Sequence, residues 1–263
     1  MTKRLELATR AFGAEPDQPD VAGLAGWIAE HRGRLADMVT FQLDQSLAPQ
    51  LTAGILMPCA GGLFYRKRVM ETLNGVTDGK ATGELHLDSP AIIEDAAGIV
   101  VQKKNSWCSI PAPHMLAITD CYYDDAYEWS DAINGMYRAL MRTMRDTGIP
   151  GHVLIGDTVK DEELVALAGQ KVFFFLPDPD RENLAGLLEH QRQVAVGKDQ
   201  LKILFDLTGE YDLGKIFIID PDRQAIELAL THLDPDQVAV GGYCRESCDE
   251  YWNNLAGSSV YQQ

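Results

Sequence analysis

From residue 150 onward one pattern recurs: a short, almost unbroken apolar run, a polar turn, then a segment with apolar residues at helical spacing. The runs are residues 152–156 (HVLIG), 171–176 (KVFFFL), 215–219 (KIFII) and 237–241 (QVAVG), with helical segments beginning near Asp161, Arg181, Arg223 and Ser247. A strand with one wet face alternates polar and apolar residues. A strand covered on both faces does not, and helices follow such strands in parallel sheets. The stretch 181–209 is long for one helix and is expected to break near Gly197.

The first half is less regular. Residues 1–50 read as a helical segment, with Leu24, Trp27, Ile28, Leu35, Val39 and Leu43 near helical spacing. Further strands are expected at 52–58, 84–88, 99–103 and 115–120, and a helix at 63–73. Residues 131–147 form the clearest helix, with Ile133, Met136, Tyr137, Leu140 and Met144 on one face. Gly148 and Pro150 end it in the usual order. Residues 103–114 resist assignment. Eight strand candidates, near 52, 84, 99, 115, 152, 171, 215 and 237, predict a (β/α)8-barrel-like α/β domain over 51–263 with an N-terminal helical extension over 1–50. An open doubly wound sheet is the alternative. Both folds place ligands at the carboxyl ends of their strands.

Composition narrows the partners. The 263 residues carry 39 acidic and 23 basic side chains, a formal charge of −16. Nucleic acid and anionic membrane surfaces are bound by Lys and Arg, so this balance argues against both. No apolar run approaches the roughly 20 residues of a membrane span. The first residues are threaded with charge, unlike a secretory signal. Five cysteines and no such signal imply reduced thiols in a cytoplasm rather than a disulfide framework. The expected partner is a small-molecule substrate, with a homo-oligomer left open.

The residues that close the strand candidates carry the chemistry. Asp157, Asp178 and Asp220 read first as helix caps. The repeated Asp-Pro-Asp-Arg at 178–181 and 220–223 reads the same way, with the first Asp as cap and Pro at the first helical position. Asp88 and Asp120 are better acid–base candidates, with His86 or His114 as helper. Cys59, Cys244 and Cys248 lie at the ends of the first and last expected strands, which are neighbours in a closed barrel. Three thiolates there would hold Zn²⁺ or one face of an iron–sulfur cluster and leave a position for substrate. Buried structural thiols are the plain alternative.

Two other readings stand beside this one. Cys108 lies in a loop stiffened by Pro111 and Pro113, and Cys121 follows Asp120; either can act as a nucleophile with a nearby histidine as base, needing no metal. Gly61 and Gly62, followed by Arg66, form a turn whose free N–H groups suit an anionic cofactor group. The sequence therefore points to a cytoplasmic lyase or transferase with a thiolate-held metal. A metal-free cysteine enzyme is the first rival. The second is a non-enzymatic accessory protein that offers its acidic, aromatic stretch at 107–129 to a basic partner.

Overall fold

The computed structural model describes residues 4–31 and 36–262; Leu35 of the expected apolar stripe lies outside the described residues. Eight parallel strands among them build the core: β1 (Ala8–Ala14), β2 (Cys59–Gly61), β3 (Trp107–Pro111), β4 (His152–Ile155), β5 (Val172–Phe175), β6 (Gln193–Gly197), β7 (Lys215–Ile219) and β8 (Val238–Cys244). They hydrogen-bond as two four-stranded halves, β2-β3-β4-β5 and β6-β7-β8-β1. The halves meet where β1 runs beside the residues leading into β2. There Ala11 N–H donates to Met57 O and Met57 N–H to Thr9 O, both at 3.0 Å.

At the opposite seam, between β5 and β6, one side chain takes the place of a strand pair. Gln191 Nε2 donates to Phe174 O at 3.0 Å, and Phe174 N–H donates to Gln191 Oε1 at 2.9 Å. Strand order follows chain order around the ring, so the architecture is (β/α)8-barrel-like, as the alternation predicts.

The strand count is right, but only half its members are. The four runs after residue 150 are β4, β5, β7 and β8. Of the first four candidates, 52–58 is a helix end and turn leading into β2, and 99–103 completes the helix Pro90–Gln102. Residues 84–88 fall at the end of Lys80–Leu87, which pairs antiparallel with Leu73–Thr77 in a hairpin outside the ring. Residues 115–120 hold a 3-10 turn and the two-residue strand Thr119–Asp120 on that hairpin's edge.

The strands that take their places are β1, β2, β3 and β6. β1 (ATRAFGA) hides because its small residues carry little hydrophobic signal. It makes the N-terminal stretch part of the barrel rather than an extension. β3 lies in the stretch that resists assignment, and β6 ends at the expected break, Gly197.

The helix Ala126–Thr147 starts five residues earlier than expected. Its cap is Asp125, whose carboxylate accepts from Tyr127 N and Glu128 N at 2.8 and 3.0 Å. In the two Asp-Pro-Asp-Arg turns the second Asp is the cap: Asp180 accepts from Asn183 N and Asp222 from Ala225 N. That frees the first Asp of each pair for other bonds.

Aromatic rings fill the barrel. Phe12 lies 5.0, 4.9 and 5.4 Å, centroid to centroid, from Phe173, Phe175 and Phe217. Below them the Arg10 guanidinium is caged by Trp107, Phe173 and Phe217, 4.4 Å from the Trp107 centroid. Desolvation lowers its pKa to about 10. Around β1–β3 the backbones come close: a Cβ on Gly13, whose φ is +115°, would sit 2.8 Å from Ser109 Oγ and 2.9 Å from Gly61 O. Among the described residues no helix is long and apolar enough to cross a membrane.

Candidate active site

The carboxyl ends of β5–β8 surround a cleft of ≈ 540 Å³, whose polar lining includes Lys198, Gln200, Asp220, Tyr243, Arg245 and Tyr251. Its centre is a chain of hydrogen bonds between two carboxyl groups. Tyr251 Oη, one turn into the helix Cys248–Ser258, donates to Asp220 Oδ1 at 2.5 Å and accepts from Tyr243 N–H at 2.8 Å. The Tyr243 hydroxyl in turn donates to Glu15 Oε1. Glu15 follows β1, Asp220 follows β7 and Tyr243 closes β8, so three adjacent strands converge on one network.

Burial pushes the Glu15 carboxyl above its usual range, against the opposing pull of Tyr243, two backbone amides and Arg245. Asp220 is open to solvent on its free side, yet partial desolvation by its neighbours also raises its proton affinity, opposed by Tyr251 and Arg245. Both tyrosines are driven up by burial and by their carboxylate partners, so they stay protonated donors. Asp220 also holds φ at +48°, a left-handed conformation costly for a residue with a Cβ. Its other carboxyl oxygen has no hydrogen-bond partner among the described residues. The Arg245 guanidinium lies 5.9 Å from the Tyr243 centroid, with no carboxylate partner among the described residues. Lys198 reaches Asp222 at 3.1 Å.

The glycine turn after β2 does receive an anion, and it belongs to the chain. Leu63 N and Phe64 N donate to the Glu15 carboxylate at 2.5 and 3.3 Å. Gly62 is required there, because a Cβ would run into Ala14 O and Glu15 Oε1. Arg66 turns away and donates to Leu116 O at 2.6 Å.

A second hollow, ≈ 370 Å³, lies on the rim beyond β3 and β4. His114 stands at its edge, with Nδ1 2.9 Å from Glu163 Oε2 and Nε2 3.1 Å from Asp157 Oδ1. Burial alone would lower its pKa, but Glu163 and Asp157 outweigh it and raise it above the ordinary histidine value. Gly156 leaves room for the ring, since a Cβ would come within 3.0 Å of it.

The expected thiolate site does not assemble. Cys244 and Cys248 are joined in a disulfide, contrary to the expectation of reduced thiols throughout. Cys59 is fully buried, and desolvation pushes its thiol up to about 12 despite Arg10 nearby. Among the described residues no three His, Cys, Asp or Glu side chains are arranged to hold a metal ion, so Cys59, Cys244 and Cys248 do not form the expected thiolate set.

The remaining candidates scatter. Cys108 is fully buried, its thiol raised well above the ordinary range. It lies inside the wall while His114 is on the rim engaged with carboxylates. Cys121 is an exposed free thiol. His86 and Asp88 are exposed at the hairpin end. Asp120 spends its carboxylate on Tyr122 N and Tyr123 N, both at 3.0 Å, which shapes a turn. Glu15, Arg245 and Tyr251 escape a sequence reading because no motif marks them. Glu15 had a signal only in hindsight of β1: it is the first acid after that strand.

No family model matches the sequence, and no curated protein matches it. Solved structures do match in shape. A Listeria monocytogenes protein designated a vitamin-B12-independent methionine synthase superposes with a TM-score of 0.64 at 14% identity, over 96% of this chain and 94% of that one. A B12-independent methionine synthase from Shewanella sp. W3-18-1, solved with selenomethionine, gives 0.59 at 13% identity over 97% and 96%. At these identities the likeness is one of fold, and it extends over essentially the whole barrel.

Proposed function

We propose that this chain is a small-molecule enzyme of the lyase or transferase type, working at the carboxyl ends of β5–β8 and β1. The observation that carries the reading is the Asp220–Tyr251–Tyr243–Glu15 network. Of the two carboxyl groups with raised proton affinity, each fixed by a tyrosine, Asp220 borders a cleft that also holds Arg245 and Lys198, and Glu15 stands behind Tyr243. Asp220 is assigned as the acid–base group: partial desolvation raises its proton affinity, and Tyr251 fixes one oxygen while the other is left for substrate. Glu15 and Tyr243 are assigned to positioning.

The charges favour a zwitterion. Arg245 and Lys198 suit a carboxylate, while Asp220 and Glu246 suit an ammonium group. The fold neighbour solved with selenomethionine makes an amino acid the first ligand to test. Calorimetric titration with methionine and other α-amino acids should show binding by the intact protein. That binding should weaken at least tenfold in R245A and in D220N. Equal affinity in all three proteins, or no amino-acid binding at all, would sink the reading.

A further inference from the structure

The disulfide sits on the lip of the cleft. Cys244 is the last residue of β8 and Cys248 the first of the helix Cys248–Ser258, so the three residues in the ring are Arg245, Glu246 and Ser247. Arg245 and Glu246 line the cleft, and all three are exposed. Ser247 is held at φ 51°, ψ 51°, a left-handed conformation that is unfavourable for a residue with a Cβ. Cys244 is fully buried, whereas Cys248 is half-buried, so the Cys248 end of the bond is the more open to an incoming thiolate. Cys248 also opens an eleven-residue helix, where backbone N–H groups stabilise a thiolate.

We propose that Cys244–Cys248 is a thiol–disulfide exchange site, reduced by a dithiol, whose state sets the position of Arg245 at the cleft; this last consequence rests on reading the cleft as the substrate site. In the exchange, a thiolate of the dithiol attacks Cys248 Sγ. The Cys244–Cys248 bond breaks, and Cys244 leaves with the electron pair and takes up a proton. The second thiol of the reductant then attacks its own sulfur in the mixed disulfide, and Cys248 leaves as thiolate. With Cys248 left as thiolate the protein has gained two electrons and one proton, the second proton of the dithiol has gone to solvent, and the dithiol has become a disulfide.

The rest of the helix stays anchored when the bond opens. Trp252 and Leu255 are buried against β8, and Gly242 lets them approach so closely that a Cβ would lie 2.6–2.8 Å from Leu255, Trp252 and Tyr251. Freed motion is therefore confined to residues 245–248. Ser247 leaves the left-handed region, and Arg245 loses its fixed place beside Tyr243.

The experiment equilibrates the intact, folded protein in buffers of set oxidised-to-reduced dithiothreitol ratio, traps thiols with iodoacetamide and maps them by mass spectrometry. After reduction Cys248 should become labelled without denaturant, while fully buried Cys244, Cys59 and Cys108 are labelled only once the protein is unfolded and exposed Cys121 reacts in both states. Hydrogen exchange at residues 245–248 should be at least tenfold faster in the reduced protein. The C244S/C248S variant should match the reduced form and ignore the reductant. Cys248 labelling that appears only in denaturant, or equal exchange in both states, overturns the proposal and leaves a structural staple. Methionine titration separates the two readings. An affinity change of fivefold or more between redox states supports the coupling. Redox-dependent exchange with no amino-acid binding in either state supports the exchange site and overturns the cleft reading.

Discussion

The Tyr243 hydroxyl, at the end of the last barrel strand, donates to the carboxylate of Glu15, just beyond the first, across a sequence separation of 228 residues. Two neighbouring strands from opposite ends of the chain are thereby tied at the mouth, and the same carboxylate receives the amides of Leu63 and Phe64 after β2.

Y243F removes one donor from a half-buried acid. It should cost about 1–3 kcal/mol in urea unfolding, because Glu15 loses a bond it cannot replace with water. The Glu15 carboxyl should also titrate higher, since Tyr243 is the largest influence opposing burial. Carboxyl-carbon NMR would read the shift, and an unchanged or lower titration point would refute the assignment.

Q191A removes the side-chain amide that stands in for a strand pair at the β5–β6 seam. Two backbone groups of Phe174 then lose their partner, so a loss of roughly 2 kcal/mol is expected. The Phe174 amide should exchange much faster with solvent while amides in β3 and β4 stay protected. Uniform loss of protection would instead mean global destabilisation.

His152 is fully buried, neither ring nitrogen has a partner among the described residues, and burial followed by the nearby Arg145 charge lowers its pKa to about 3. The unfolded chain binds a proton there below pH ~6.5 and the folded protein does not. Stability therefore falls as pH drops from 6.5 toward 3, by on the order of 4 kcal/mol in total. H152L should remove this component, so its acid transition should move to lower pH while stability at pH 7 is kept or raised. An unmoved acid midpoint would show that other groups govern acid unfolding.

Arg68 pairs with Asp95 at 2.7 Å, Asp37 at 2.8 Å and Glu71 at 3.0 Å, and Tyr65 Oη donates to Asp95 at 3.0 Å. R68M leaves the buried Asp95 charge uncompensated and should cost about 3–5 kcal/mol. R68M/D95N, which removes the charge and keeps an acceptor for Tyr65, should cost less than R68M alone. Thermal or urea unfolding of both variants decides it.

The barrel's second half was legible because β4, β5, β7 and β8 are buried on both faces and read as plain apolar runs. β1 and β6 were not, since Ala8–Ala14 is built from small residues and a caged arginine, and Gln193–Gly197 adjoins helical segments on both sides. The hairpin at 73–87 imitates barrel strands because strand propensity is local and says nothing of which sheet a strand joins. The site divides the same way. That ligands would meet the strand carboxyl ends follows from the alternation alone. Which side chains meet there does not.

A separation of four at a strand-to-helix junction brings Cys244 and Cys248 together. Only the tertiary structure decided that they bond to each other while Cys59 is sealed in the wall. Likewise, Asp220 becomes a site residue rather than a cap because its neighbour Asp222 takes the capping bond and Tyr251 arrives from the next helix. Local sequence determines periodicity, caps and turns because those depend on neighbours along the chain. The pairing of Glu15 with Tyr243 depends on closing the ring, so it is settled only when the first and last strands lie side by side.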